Sequence, residues 1–216
     1  MFIKFYMTPN PVSITPDTLV PKVKKMFKEN SFRHLPVVDS SGRVVGIVTD
    51  RDIRSAYPSI VASPQEIQSE LDRLSETPVA EIMASNVMTL KEDSTLDEVF
   101  MLMEHQRVGA YPVVDDDMNL KGMFSLRDLM KACGELLGLK ERGTLLIPFE
   151  DDGSKNILQK ISTLFVNLDI PLHKLIRTVT IGHPIVYARV KNCDLDQVKK
   201  AAEEAGLKFA GPVLES

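Results

Sequence analysis

The chain has 216 residues, is 44% hydrophobic and 26% charged, and carries a formal charge of −4 with a pI near 5.6. That supply of apolar residues fills one or two packed cores and excludes a disordered chain. The acidic balance disfavours nucleic acid and anionic membrane surfaces as partners, both of which attract basic proteins, and no apolar run approaches the ~18 residues of a membrane span.

The segment Met1 to Pro11 is apolar only until Pro9 and Pro11 break it, so it does not read as a signal peptide. An extended piece, Val12-Ser13-Ile14, leads into a helix over about 18–30, with Val20, Val23 and Phe27 at i, i+3 and i+7. Leu35-Pro36-Val37-Val38 and Val44–Val48 read as a hairpin around an acidic turn. A closing helix starts at Thr49, a hydroxyl at the N-cap with Asp52 three residues on. Ser63-Pro64-Gln65-Glu66 then opens a further helix with N-cap, Pro and Glu in order. Its Ile67, Leu71 and Leu74 form one apolar stripe, so 57–78 is an amphipathic connector packed on its neighbours or, in the sharper reading, a partner-binding helix.

From residue 79 the same order returns. Residues 7–56 lie over 83–132 at a constant offset of 76, and 12 of the 50 pairs are identical, among them Met7/Met83, Gly46/Gly122, Arg51/Arg127 and Asp52/Asp128. Register held over that length, with Gly and Pro retained, is an internal repeat. In the second copy Met88-Thr89-Leu90 is the extended piece, and Ser94 with Asp97 is expected to cap a helix over about 94–106. Tyr111–Val114 and Leu120–Phe124 form the hairpin, and Ser125 starts the closing helix. A single copy with half a sheet cannot bury its own apolar face. The two are expected to pair about a pseudo-twofold into one module over about 1–135. Seven of the ten methionines fall in 83–130, chiefly as core filling. Cys133 and Cys193 suit two reduced thiols in a soluble cytoplasmic protein, not a disulfide framework.

The pattern changes from Gly143. Thr144–Glu150 is a strand, Asp151-Asp152-Gly153-Ser154 a turn, and about 155–168 a helix. Leu172–Ile181 and Ile185–Val190 are strands joined by Gly182-His183-Pro184; a helix runs from Asp194 to Gly206, and Leu207–Val213 is a last strand. This βαββαβ order is the ferredoxin-like plan, which gives an α/β (α+β) chain. His173 and His183 read as strand and turn residues, and no metal-ligand spacing includes them.

The repeat resembles the CBS domain, and the pair resembles a Bateman module. The carrying residues are Met7-Thr-Pro-Asn-Pro, Leu35-Pro-Val-Val-Asp39 and Gly46-Ile-Val-Thr-Asp-Arg-Asp52, with Ile82-Met83, Tyr111-Pro-Val-Val-Asp115 and Gly122-Met-Phe-Ser-Leu-Arg-Asp128 in the second copy. The resemblance implies boundaries of 1–56 and 79–135 for the repeats, 57–78 for the connector, and a regulatory protein that binds AMP, ADP, ATP or S-adenosylmethionine between the repeats. In its G-x-x-[ST]-x-x-D pattern the Asp holds the ribose diol, here Thr49 with Asp52 and Ser125 with Asp128. One ionised carboxylate can accept both ribose hydroxyls, although each Asp in isolation also reads as a cap favouring the helix dipole. The adenine walls would be Val12, Ile14 and Leu35 beside Pro36 in one copy, and Met88, Leu90 and Tyr111 beside Pro112 in the other. Phosphate would meet Arg33 and His34, with Arg51, Arg54, Arg107, Arg127 and Lys131 as further basic candidates. Whether Arg33 and His34 serve the pocket of their own repeat's Asp or the other's is open. Gly109-Ala110 stands in their place in the second copy, so the two pockets are expected to be unequal.

The C-terminal segment over 143–216 resembles an ACT domain, in which small ligands bind near the first turn, here Asp151, Asp152 and Gly153. This turn is shorter than the usual D-x-P-G and lacks Pro, and a dimerisation role is preferred. The order CBS–CBS–ACT with a helical insert resembles acetoin-utilisation-type bacterial regulators. The leading reading is a non-catalytic sensor of adenine nucleotides, with no cofactor or metal, working as a homodimer and signalling to an unknown partner or to the ACT-like domain. An enzyme lacks a P-loop, G-x-S-x-G or H-E-x-x-H to stand on. An interaction module with vestigial pockets is the third reading.

Overall fold

The computed structural model describes residues 1–58, 63–106, 108–178, 182, 184–191 and 193–215, and Arg107 and His183 lie outside them. The chain forms two compact units, Met1–Ala132 and Cys133–Ser216.

In the first unit, β1 (Thr8–Pro9), α1 (Val20–Glu29), β2 (His34–Val38), β3 (Val44–Thr49) and α2 (Asp50–Ala56) come from the first copy. The connector helix α3 (Pro64–Glu76) follows, then β4 (Leu90–Lys91), α4 (Leu96–Gln106), β5 (Ala110–Val114), β6 (Leu120–Ser125) and α5 (Leu126–Leu136). The offset reaches into backbone detail. A register shift falls between Val37 and Val38 in one hairpin and between Val113 and Val114 in the other. Gly42 at φ +84° is matched by Met118 at φ +67°. These two turns also pair with each other, Val44 N donating to Met118 O at 3.0 Å and Leu120 N to Gly42 O at 3.1 Å.

The leading segments are exchanged between the copies. The N-terminal residues pack on the second hairpin: Thr8 and Pro9 pair with Met123 and Gly122, and Ile3 N donates to Ser94 O at 3.0 Å. The segment before the second copy returns the contact, with Ala84 and Ile47 exchanging backbone hydrogen bonds of 3.0 and 2.9 Å and Val79 N donating to Thr18 O at 2.8 Å. Ile3 and Val79, one offset apart, are both fully buried. This exchange sets the spacing of the repeat's glycines. A Cβ on Gly46 would lie 2.4 Å from Met83 Sδ, and one on Gly122 would lie 2.6 Å from Met7 Sδ. The first core joins Ile14, Val23, Leu35, Val37, Val48 and Ile53 to Leu74 of the connector and Val79 of the second copy.

Local chemistry explains most element starts. Thr49 and Asp52 form a capping box at α2, and Ser63 and Glu66 form one at α3. The cap expected at Ser94 lies one residue on: Thr95 N donates to Glu98 Oε2 at 2.8 Å and Glu98 N to Thr95 Oγ1 at 3.3 Å. Ser94 Oγ instead accepts from Lys91 N at 3.2 Å, so it is engaged in the preceding turn and not at the helix start. The connector's stripe is only partly packed, with Leu74 buried, Ile67 half-buried and Leu71 exposed. Core filling accounts for Met103 and Met123, whereas Met88, Met101, Met118 and Met130 are exposed.

In the second unit β7 (Thr144–Glu150), α6 (Ile157–Asn167), β8 (Leu172–Thr178), β9 (Ile185–Lys191), α7 (Leu195–Glu204) and β10 (Leu214–Glu215) follow the βαββαβ order. The sheet runs β10-β7-β9-β8 with every neighbour antiparallel, the ferredoxin-like arrangement. The last strand differs from the expected Leu207–Val213. Glu150 N donates to Lys208 O at 2.8 Å and Ala210 N to Pro148 O at 2.9 Å, and then Gly211-Pro212 interrupts the ladder before β10. Proline has no N–H to donate. Residues Cys133 onward belong to this unit, tied in by Arg189 Nε donating to Leu137 O at 3.0 Å. Its core holds Ile147, Phe149, Ile161, Phe165, Val186 and Val190.

Candidate functional site

Two clefts open in the first unit, each built from both copies. The first, about 300 Å³, is lined by Thr8, Asn10, Pro11, Val12, Phe32, Arg33 and His34 of the first copy with Ala110, Met123, Ser125 and Asp128 of the second. The second, about 500 Å³, is lined by Arg33, His34, Ile47, Thr49, Asp50, Arg51, Asp52 and Arg54 with Ala84, Val108, Gly109 and Ala110. Both volumes fall within the range of small-molecule sites. The exchange of leading segments creates this pairing, because each copy's opening residues lie along the other's second hairpin strand.

The two carboxylates are held alike. Asp52 Oδ2 accepts from Thr49 N at 2.8 Å and Thr49 Oγ1 at 2.6 Å. Asp128 Oδ2 accepts from Ser125 N at 2.8 Å and Ser125 Oγ at 2.7 Å. Each is therefore a helix cap in fact, and one oxygen does all of that work. Oδ1 of each carboxylate, half-buried beside a cleft, takes no part in the cap.

His34 sits directly across the hairpin from Thr49, and its counterpart Ala110 sits across from Ser125. Burial pushes the imidazole below its ordinary pKa; the Asp52 carboxylate opposes that shift and Arg51 adds to it. The ring lies against the second copy at Gly109, where a Cβ would be 3.6 Å from His34 Cε1 and Nε2. Arg33 and His34 line both clefts, not one or the other.

The sequence-derived walls fare differently. Val12 lines the Asp128 cleft. Ile14, Leu35, Leu90 and Tyr111 are buried in the packed interior, with Pro36 and Pro112 beside them, and line neither cleft. Ile14 is drawn into the sheet by its N–H donating to Pro36 O at 3.1 Å, which turns its side chain into the core. Met88 and Arg127 are exposed and line neither cleft, and Arg107 lies outside the described residues. Thr8, Asn10, Phe32, Met123, Ala84 and Val108 are lining residues that sequence reasoning missed. The Met7-Thr-Pro-Asn-Pro segment was the available signal for the first two.

In the second unit, Asp151 is committed to its own fold. Its Oδ2 accepts from Arg177 Nε at 2.5 Å, and its Oδ1 from Arg177 Nη2 at 3.0 Å and Gly153 N at 2.9 Å. The hydrogen bonds from Arg177 hold this carboxyl below its ordinary pKa. Asp152 accepts from Ser154 N at 2.8 Å and pairs with Lys160 at 3.5 Å, and Gly153 takes φ +74°. Both carboxylates of this turn are thus engaged within the unit itself. Among the described residues no helix is long and apolar enough to cross a membrane, and no group of three or more His, Cys, Asp or Glu is placed to hold a metal ion.

An internally duplicated module with a cleft between copies at each helix-start carboxylate is the architecture of a tandem domain pair. The CBS domain family model matches residues 3–59 and 79–135, and the chain belongs to that family. A CBS domain-containing protein of Dictyostelium discoideum is 35% identical over 60% of this chain and 89% of its own length. The inosine-5'-monophosphate dehydrogenase of Pasteurella multocida is 34% identical over 57% of this chain but only 22% of its own, so the likeness is confined to about a fifth of that protein. Among solved structures, the CBS domain pair of protein MJ0100, in complex with 5'-methylthioadenosine and S-adenosyl-L-methionine, has a TM-score of 0.52 and 27% identity, covering 62% of this chain and 97% of that one. A candidate acetoin utilization protein from Vibrio cholerae has a TM-score of 0.54 and 26% identity, covering 65% of this chain and 96% of that one.

Proposed function

We propose that this protein is a non-catalytic sensor whose CBS clefts bind adenosine-containing ligands of the AMP, ADP or ATP class. The carrying observation is that each cleft places a carboxylate with an uncommitted oxygen beside basic side chains. Oδ1 of Asp52 or Asp128 accepts the ribose hydroxyls, and the basic residues receive phosphate. The Asp52 cleft is the more phosphate-favouring, since Arg33, Arg51 and Arg54 face Asp50 and Asp52 there, against Arg33 and Asp128 in the other. Adenosyl ligands without phosphate are the second reading, supported by the bound ligands of the MJ0100 pair, and they suit the smaller, less basic Asp128 cleft. Bound ligand shifts the module between two states by its differential affinity for them, and the signal passes to a partner protein or to the C-terminal unit. That unit serves dimerisation in an ACT-like manner, the chain works as a homodimer inside the cell, and a role in acetoin utilisation is the pathway reading.

A thermal-shift panel of AMP, ADP, ATP, S-adenosylmethionine and adenosine tests this. A ligand at a hundred times its Kd stabilises the folded state by about 2.7 kcal/mol. No shift with any of them at millimolar concentration removes the sensor reading and leaves an interaction module. Conversion of bound nucleotide on long incubation would favour an enzyme instead.

A further inference from the structure

Arg33 and His34 belong to one copy but line both clefts, and Gly109 and Ala110 occupy their equivalent places in the other. The close approach of the His34 ring to Gly109 shows why. Near this pseudo-symmetric crossing the small pair leaves the room that the large pair fills, so one Arg-His pair faces two ways. In the Asp128 cleft, Arg33 and His34 are the basic side chains among the described lining residues. In the Asp52 cleft, Arg54 is already paired with Asp50 at 3.1 Å, which leaves Arg33 and Arg51 as the arginines with no acidic partner there.

We infer that the two clefts compete for Arg33, so that a phosphorylated ligand in one weakens binding of a phosphorylated ligand in the other. This rests on the nucleotide reading of the clefts and deepens it. A guanidinium that forks onto one phosphate presents its donors in one plane and is not free to serve a second phosphate across the wall. Arg33 is the arginine that lines both clefts, whereas Arg51 lines only the Asp52 cleft. A ligand with no phosphate makes no demand on Arg33, and its two binding events are independent. Coupling of this kind is reciprocal: whichever cleft fills first weakens the other by the same factor.

Titration calorimetry on the full chain separates these statements. Asp52→Asn and Asp128→Asn each disable one cleft and give the affinity of the other alone. The product of the two stepwise AMP association constants of the unsubstituted chain is expected to fall about tenfold or more below the product of the two single-cleft constants. For adenosine the two products agree within about twofold, and with the two Asp→Asn variants remade in an Arg33→Ala background the AMP deficit is expected to disappear. If both ligands bind and the AMP products agree, the clefts are independent and this inference fails while the nucleotide reading stands. If neither ligand binds, both fail.

Discussion

Gly46 and Gly122 mark the closest approach of one copy to the other. A methyl group on Gly46 meets Met83 Sδ at 2.4 Å and Ala84 O at 3.2 Å. The sulfur can swing aside, but the backbone carbonyl is fixed by its pairing with Ile47. Overpacking of this kind costs about 1–3 kcal/mol, so Gly46→Ala is expected to lower stability by that amount in chemical denaturation. Met83→Ala should relieve part of the cost, and strict additivity of the two substitutions would show that the contact is not its source. Asp115 offers a different test. Its carboxyl is held down at about 2 by hydrogen bonds from Asn119, side chain before backbone, and by Lys121. With the folded pKa below the unfolded one, this stabilisation is complete above the ordinary value of 3.8 and is lost as pH falls toward 2. Asp115→Asn should therefore lower Tm at neutral pH, and the gap to the unsubstituted chain should close on acidification. A gap constant with pH would assign the loss to geometry instead of charge.

At the scale of elements, what the sequence shows depends on how local the cause is. Both hairpins, the Thr49–Asp52 cap and the Ser63–Glu66 cap are written within four residues and are legible there. The shift of the α4 cap from Ser94 to Thr95 is a choice between two adjacent hydroxyls: Ser94 Oγ is taken by Lys91 N in the preceding turn, and Thr95 pairs with Glu98. The exchanged leaders are not legible in that way, since their backbone partners lie in the other copy and leave no local pattern. The same non-locality hid Thr8 and Ala84 from the site and left the burial of Ile14 and Leu35 unread, because which face of an inner strand meets a cleft depends on what lies across it. Ile3 and Val79 kept the offset but stood upstream of the matched segment. A leader that completes another copy's sheet should behave as core. Ile3→Ala is expected to cost about 2–5 kcal/mol, as for a buried aliphatic truncation, and to weaken ligand binding in the Asp128 cleft, whose wall follows directly from Ile3 through Thr8 to Val12. Unchanged binding there would mean that the leader is held by its hydrogen bonds alone. Thr95→Ala should cost about 1 kcal/mol as a lost cap and leave both clefts intact.

For the whole molecule, the charge that first argued against nucleic acid divides unevenly: residues 1–135 carry 15 basic and 20 acidic side chains, the remainder 11 and 10. On the proposed nucleotide reading, phosphate recognition in the acidic part rests on a few placed cations, the condition under which one Arg33 would serve two clefts. The two units have separate cores, and α5 runs from one into the other, starting at the Ser125–Asp128 cap and ending beyond the boundary at Cys133. Its C-terminus is closed in the second unit by Gly138 at φ +68°, with Leu139 N donating to Gly134 O at 2.8 Å. Gly134 therefore sits in a helix that begins at one cleft's carboxylate and finishes in the other unit, and a Cβ there would meet nothing within 4 Å. Glycine inside a helix costs roughly 0.5–1 kcal/mol relative to alanine, so Gly134→Ala should stabilise the protein, raising Tm by about 1–4 °C in a chain of this size. Separate cores predict two unfolding transitions. In the unsubstituted chain, ligand should raise the transition of the first unit more than that of the second. If α5 carries the signal, Gly134→Ala should draw the two transitions together in the presence of AMP; a ligand response of the second transition that the substitution leaves unchanged would place the output of the clefts elsewhere, on a partner docked to the first unit.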